Sequence, residues 1–417
     1  MNPFAALGRL PSRVRALAAA ALCWAAAGCS ISQPAVPVRR FVDGDLVGVR
    51  TFAASQAAEG PEENLALVLN IQAQCDLLMG RLAEARAGFV RAGQIMGSWA
   101  TSGGEAAGAI LGSESSKTWK GDPYEKSMNA FYVAWTFLQT GEPDNARAAC
   151  KRGILADAEV ADERYQADNA LLFWMAGRMS RLMGAPDAED YFKEARQAHA
   201  FAVQHGARGE PNVPLLAEPS RGALVVLAEC GMGPEKYGDG GQEELARFRS
   251  RAHPAVRARV SLDGRPVGPT ALLVDVDYQA RTLGGTAMEG IRKGKAVFKS
   301  AATVAGIVLL DQAVRAGRRH REAAQTQAIV GGALLLAGLL TSTAADVRHW
   351  PTLPSSVQAI AIDASPGLHR LDVEFLDASG RSIPALRQVR DVVVPPTGES
   401  WQLFRSLPIV ANAGVAP

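Results

Sequence analysis

At 417 residues, with 48% hydrophobic and 21% charged side chains and a formal net charge of +2, the chain has the composition of an ordinary globular protein, long enough for about two domains. The near balance of charge gives no electrostatic footprint for nucleic acid, so no such partner is expected. Five cysteines occur without a CxxC pair or a zinc-ligand spacing, which argues against a zinc site and leaves Cys75 and Cys150 as small buried thiols of helices, with pairing as the alternative.

The chain opens as a secretory leader does: Arg9, Arg13 and Arg15 precede an apolar run over residues 17–27, and small residues lead into a cysteine. The run is too short to stay as a membrane helix. Ala26-Ala27-Gly28-Cys29 resembles a lipobox, with Ala26 where Leu is commonest. That resemblance implies a leader over residues 1–28, acyl chains on Cys29 and a membrane as the first partner. Cleavage after Ala27 without lipid, giving a secreted chain that begins at Gly28, is the alternative. Residues 29–40, polar and bearing proline, read as a tether. Ser30 stands where known lipoproteins retained in the inner membrane carry Asp, which implies the outer membrane, facing the periplasm.

Residues 41–205 carry a repeated offset pattern. Gly80, Ala85, Phe89 and Ala92 are matched by Gly141, Ala146, Cys150 and Gly153, and, one residue tighter, by Gly184, Ala188, Phe192 and Ala195. A small residue stands seven positions before each first glycine: Ala73, Ala134 and Gly177. The spacings resemble the tetratricopeptide repeat, in which a glycine ends the first helix and small residues let the second lie close. The region is therefore expected to be a tetratricopeptide-like solenoid, with residues 41–57 as half of a further repeat and an antiparallel bundle as the rival arrangement.

Residues 98–121 are rich in Gly and Ser and read as a loop over one rim. They lead into Gly121-Asp122-Pro123-Tyr124-Glu125, where Asp122 suits a helix cap and Pro123 the first helical position. Good capping explains this motif; Tyr124 and Glu125 facing a partner is the functional alternative.

Residues 206–220, with three prolines and two glycines, read as a linker. Beyond it, residues 221–417 are expected to form a small antiparallel β-domain, a sandwich in one reading. Its strands are a buried run over 222–228, an alternating strand over 256–262 entering the hairpin signal Asp263-Gly264, and further strands over 357–362, 368–376, 389–394 and 401–404. A helical insert over 286–345 carries two apolar runs, of which the second is rich in Gly and Ala. Their lengths favour a packed hairpin, with contact between subunits or with a membrane, or a single span, as alternatives. The whole is an α+β chain.

The 121–125 motif, residues 222–227 followed by Gly231-Met232-Gly233-Pro234-Glu235-Lys236, and residues 345–354 occur in the same order in a family of bacterial envelope lipoproteins of uncharacterised activity, which this chain resembles over nearly its whole mature length. The resemblance implies an envelope location and no known catalysis. Within 345–354, Trp350 is a large anchor, Arg348 can pair with Asp346, and Pro351 and Pro354 stiffen the approach to the next strand. A corner that docks the insert is the structural reading; Arg348 and Trp350 touching a partner is the other.

No HExxH, GxSxG or GxxxxGK[ST] pattern occurs, and the six histidines form no i, i+4 pair. Asp275 and Asp277 share a face of an expected strand, as catalytic carboxylates do, although solvated strand-edge acids are the plainer reading. No cofactor is expected, and no enzyme. The expected role is a membrane-anchored interaction scaffold, binding an envelope protein or peptide on the inner face of the repeats or on the 98–121 loop. The alternative is a structural subunit that forms homo-oligomers through the Gly-rich hairpin.

Overall fold

The computed structural model describes residues 32–97, 118–157, 168–217, 222–241, 243, 245–283 and 345–408. Helices occupy the N-terminal half and sheets the C-terminal half. The leader, Cys29, most of the 98–121 loop and residues 286–344 of the insert lie outside the described residues.

The helices are α1 (Val38–Val42), α2 (Leu46–Glu59), α3 (Leu65–Leu78), α4 (Leu82–Gly97), α5 (Pro123–Leu138), α6 (Pro143–Asp157), α7 (Ala170–Leu182), α8 (Ala188–Gln204), the short α9 (Pro214–Ala217) and α10 (Val276–Leu283). Gly80, Gly141 and Gly184 end α3, α5 and α7 with φ of 77°, 72° and 66°, a backbone that only glycine adopts without strain. Each turn is closed the same way. The N–H of the following residue reaches back five positions: Arg81 to Asp76 O, Glu142 to Phe137 O and Ala185 to Ser180 O. Gly44, between α1 and α2, repeats the device with a bond from Asp45 N–H to Arg40 O at 2.8 Å.

From α2 to α8 every helix packs on its neighbour in sequence. The small residues make that possible. A Cβ on Gly88 would lie 2.8 Å from that of Ala73, one on Gly153 2.8 Å from that of Ala130, and one on Gly177 2.8 Å from the Phe192 ring. In α3, α5 and α7 almost every side chain is buried, including polar ones, because these helices are covered on both sides.

What covers them is a sheet with strand order β10-β1-β7-β6, built from Ser400–Arg405, Leu224–Cys230, Ser356–Ile362 and Ala271–Asp275. Val225 and Leu227 of β1, Val357 and Ala359 of β7, and Trp401 and Leu403 of β10 join the helical core. The opposite faces of the same strands, with Leu224, Val226 and Phe404, meet a second sheet of order β5-β4-β8-β9. That sheet holds Arg265–Pro269, Arg257–Leu262, Gly367–Leu376 and Gln388–Val394, with Asp263 and Gly264 turning β4 into β5 at positive φ. A separate hairpin pairs β2 (Glu235–Asp239) with β3 (Leu245–Arg249). The result is three layers: helices, a middle sheet buried on both faces, and an outer sheet. Strand β1 is buried at every position, which explains its apolar run over 224–228.

Several expectations are corrected. The β-layers are not a separate domain, since one continuous core holds side chains from helices and middle sheet together. Nor is the sheet wholly antiparallel: β10 runs parallel to β1, having crossed over from the outer sheet after β9. Its outer edge is closed by side chains, with Gln139 donating to Trp401 O (3.1 Å), Arg390 to Leu403 O (3.1 Å) and Gln388 to Arg405 O (2.5 Å). The expected linker is docked rather than loose: Arg208 clamps Asp275 and Ser355 O, and Leu216 is buried. Residues 32–40 are likewise no free tether, because Gln33 is bonded to residue 349, Pro34 is buried and α1 packs on α2.

Replacing Gly177 by Val should lower stability by ~1–3 kcal/mol, as overpacking against Phe192 does. Gly97→Ala, whose new methyl meets nothing within 4 Å, should change little. Urea unfolding midpoints of the two variants test this, and equal midpoints would sink the close-packing account.

Candidate functional site

Residues 121–125, 231–236 and 345–354 come together at one place, the seam between the helical layer and the middle sheet. At the start of α5, Glu125 is fully buried. Its Oε2 accepts the Asp122 N–H at 2.7 Å, completing the helix cap, and its Oε1 accepts the Trp350 N–H at 2.5 Å. Asp122 in turn accepts from Lys236 Nζ at 2.6 Å. One carboxylate and one ammonium thus tie α5 to both chain segments of the C-terminal half. Burial, and next the charge of Asp122, push the Glu125 carboxyl up to about 8, while Lys236 and the two backbone N–H groups oppose them.

Trp350 packs tilted against the stacked pair Phe89 and Tyr132, with ring centroids at 6.1 and 5.6 Å. Its indole N–H donates to Gln74 Oε1 (3.1 Å) and Thr352 Oγ1 (2.9 Å). Gln74 donates to Tyr132 Oη at 2.8 Å, and Tyr132 donates to Glu229 Oε1 of β1 at 2.5 Å. Burial pushes the Glu229 carboxyl up, and Arg405 pulls it back. The Arg405 guanidinium donates to Thr352 O and Leu353 O, and stands 3.9 Å from Glu229 Oε2. A tyrosine on a carboxyl of raised pKa can hold a shared proton, yet Tyr132 and Glu229 are both 0% exposed, so no solute reaches it in this conformation.

Arg348 is equally occupied. It forks onto Asp346, with Nη2 to Oδ2 at 2.7 Å, and Nη1 donates to Asn64 Oδ1 at 3.1 Å. Its carbonyl accepts the Trp119 indole N–H. Beside it, His349 Nε2 lies 3.1 Å from Arg251 Nη2, and Nδ1 lies 3.0 Å from Val347 O. An arginine only donates, so Nε2 is the acceptor and Nδ1 carries the proton. Burial holds this neutral form by pushing His349 down to about 4.

Tyr124, Glu125, Arg348 and Trp350 are therefore brought together, but inward. All four are at most 2% exposed, and the expectation that they face a partner is corrected. Tyr124 packs its ring edge-on against Phe248 at 5.8 Å. Asp275 and Asp277 do converge, although not as a solvated strand edge: both are buried, they straddle the end of β6 and the start of α10, and Arg208 pairs with both, at 2.6 and 3.5 Å. Burial pushes Asp277 up to about 6.

Sequence reasoning missed Gln74, Tyr132, Glu229 and Arg405, whose signal was a polar residue inside an otherwise apolar run. It also missed Asp157 and Asp168, a buried pair whose carboxyls are both raised, first by burial. Cys75, Cys150 and Cys230 are free and buried, with thiols pushed up to about 12 by desolvation. Among the described residues no group of three or more His, Cys, Asp or Glu is placed to hold a metal ion, and no helix is long and apolar enough to cross a membrane.

Glu125→Gln keeps the shape but turns one acceptor into a donor against an N–H, and should destabilise by ~1–3 kcal/mol. The folded value near 8 lies above the ordinary 4.5, so the folded chain holds a proton that the unfolded chain releases. The stability this group contributes is thus fully present below about pH 4.5 and is lost as pH rises towards 8, and the gap between wild type and Glu125→Gln should narrow over that range. Urea titrations of both proteins across this range check it, a widening gap being the contrary result. In comparison with known proteins, the chain matches no family model and no curated protein.

Proposed function

We propose that this chain is a lipid-anchored protein of the bacterial envelope, held by acyl chains on Cys29 at the periplasmic face of the outer membrane, and that it acts as a non-enzymatic interaction scaffold. Its helical half is read as a tetratricopeptide-like solenoid. The observation that carries this reading is the repeated helix turn: a left-handed glycine, a bond back over five residues and a close-packed second helix, three times in succession. Repeats of this kind generally serve to present surfaces to proteins or peptides.

The inner helices α3, α5 and α7 are covered by the chain's own sheet, so a partner would meet the outward faces of α4, α6 and α8 instead. Exposed side chains there include Arg91, Lys151 and Glu194. These are polar, mixed in sign and suited to a reversible contact.

The test is intact mass and crosslinking of the protein taken from membranes, beside a Cys29→Ser variant. The expected result is a lipid-sized mass increase on Cys29, loss of membrane retention in Cys29→Ser, and crosslinks from α4, α6 or α8 to another envelope protein. An unmodified chain that begins at Gly28 in the soluble fraction would remove the anchor. Crosslinks only between copies of this chain would favour the self-associating subunit over the scaffold.

A further inference from the structure

The lipid reading bears on more than location, because of how the residues just after Cys29 are held. Ser32 and Gln33 are not the loose end of a tether. Ser32 O accepts from Asn64 Nδ2 at 3.2 Å, Gln33 Nε2 donates to His349 O at 3.0 Å, and the His349 N–H donates to Gln33 Oε1 at 2.9 Å. The last pair closes like two strands across the backbone of a residue 316 positions away. Asn64 is itself held by Arg348, so the point of attachment belongs to the same buried cluster that joins helices to sheet.

Cys29 is three residues from Ser32, a reach of about 11 Å at full extension. A body of this size has a radius of gyration of about 21 Å, so a lead that short cannot let the protein turn over on its anchor. Resting on the lipid reading of Cys29, we infer that one pole of the molecule faces the bilayer: the pole where Ser32, Ala35 and Glu62 are exposed, with the start of α5 and residues 348–349 buried beneath it. The partner of this surface is the phospholipid headgroup layer.

The rest of the orientation follows from the helices. Helix α3 begins beside Asn64 and, at 14 residues, runs about 20 Å to Gly80. Helix α5 begins beside Trp350 and, at 16 residues, runs about 24 Å to the Gly141 turn. The turns at Gly80 and Gly141 therefore lie at the far pole. The return of the 286–345 insert is at the near pole, since the Ala345 N–H bonds Glu243 O at 2.8 Å and residues 346–349 follow at once. Near the anchor the exposed charged side chains Glu59 and Glu62 are acidic, so the acyl chains rather than headgroup charge hold this pole down.

The experiment places a fluorophore on single cysteines in the full, natively lipidated protein, at Ala35 or Glu62 near the anchor and at Ala83 or Asp144 at the far pole, all exposed positions. The native buried thiols, pushed up to about 12, do not compete for the label. The protein is bound to phosphatidylethanolamine–phosphatidylglycerol vesicles carrying a headgroup-attached quencher. Quenching at 35 and 62 several-fold stronger than at 83 and 144, unchanged in high salt, is the expected result. Equal quenching at all four, or stronger quenching at 83 and 144, on a protein whose mass shows the lipid, overturns the orientation and leaves the anchor standing. No quenching anywhere on a protein whose mass shows an unmodified Cys29 overturns the lipid reading, and the orientation with it.

Discussion

Trp350 enters the interior with both of its N–H groups spoken for, the backbone one by Glu125 and the indole one by Gln74 and Thr352. Of these, Glu125 and Gln74 stand on two different helices, α5 and α3, and Glu125 is at the same time the cap of its own helix. A single extended stretch, residues 345–354, therefore decides how the helical layer and the sheets sit against each other. Displacing it would strip the buried Glu125 Oε1 and Gln74 Oε1 of their Trp350 donors, each loss carrying a penalty of ~1–3 kcal/mol. The seam holds because the alternatives are costly, more than because any one bond is strong.

The same logic recurs at the other end of the seam. Arg178 of α7 is wholly buried, forks onto Glu399 at 2.7 and 3.1 Å, donates to Gly222 O and stacks on Trp174 and Trp401. Buried ion pairs add little net stability over apolar packing, but they penalise every register except the one that pairs them. With Glu125 and Lys236 at one end and Arg178 and Glu399 at the other, the helices can rest on the middle sheet in only one alignment. This is how a row of helices and a pair of sheets become one body.

That body bears on function. Inner helices that might have formed an open groove are filled by the chain's own strands, so their polar residues serve internal bonds. Contact with anything else falls on the outward helix faces, the outer sheet and the pole beside the N-terminal segment. The buried carboxyls of Glu125, Glu229, Asp157 and Asp168, all raised first by desolvation, belong to the interior of the fold.

The sequence by itself determined the local structure. Gly80, Gly141 and Gly184 mark helix ends because an L side chain would be strained at their φ, and Ala85 and Ala146, both fully buried, mark where helices pack. Asp263-Gly264 specified its hairpin through the same backbone preference, and the apolar run over 224–228 announced a buried strand. These are short-range rules, readable from residue type and spacing. Only the tertiary structure decided that Tyr124, Glu125, Arg348 and Trp350 turn inward, that residues 206–217 and 32–40 are docked rather than free, and that β10 lies parallel to β1. A carboxylate or an arginine reads the same in sequence whether it meets a partner protein or a backbone N–H more than two hundred residues away. Which of these it meets depends on long-range packing, and local pattern carries no record of it.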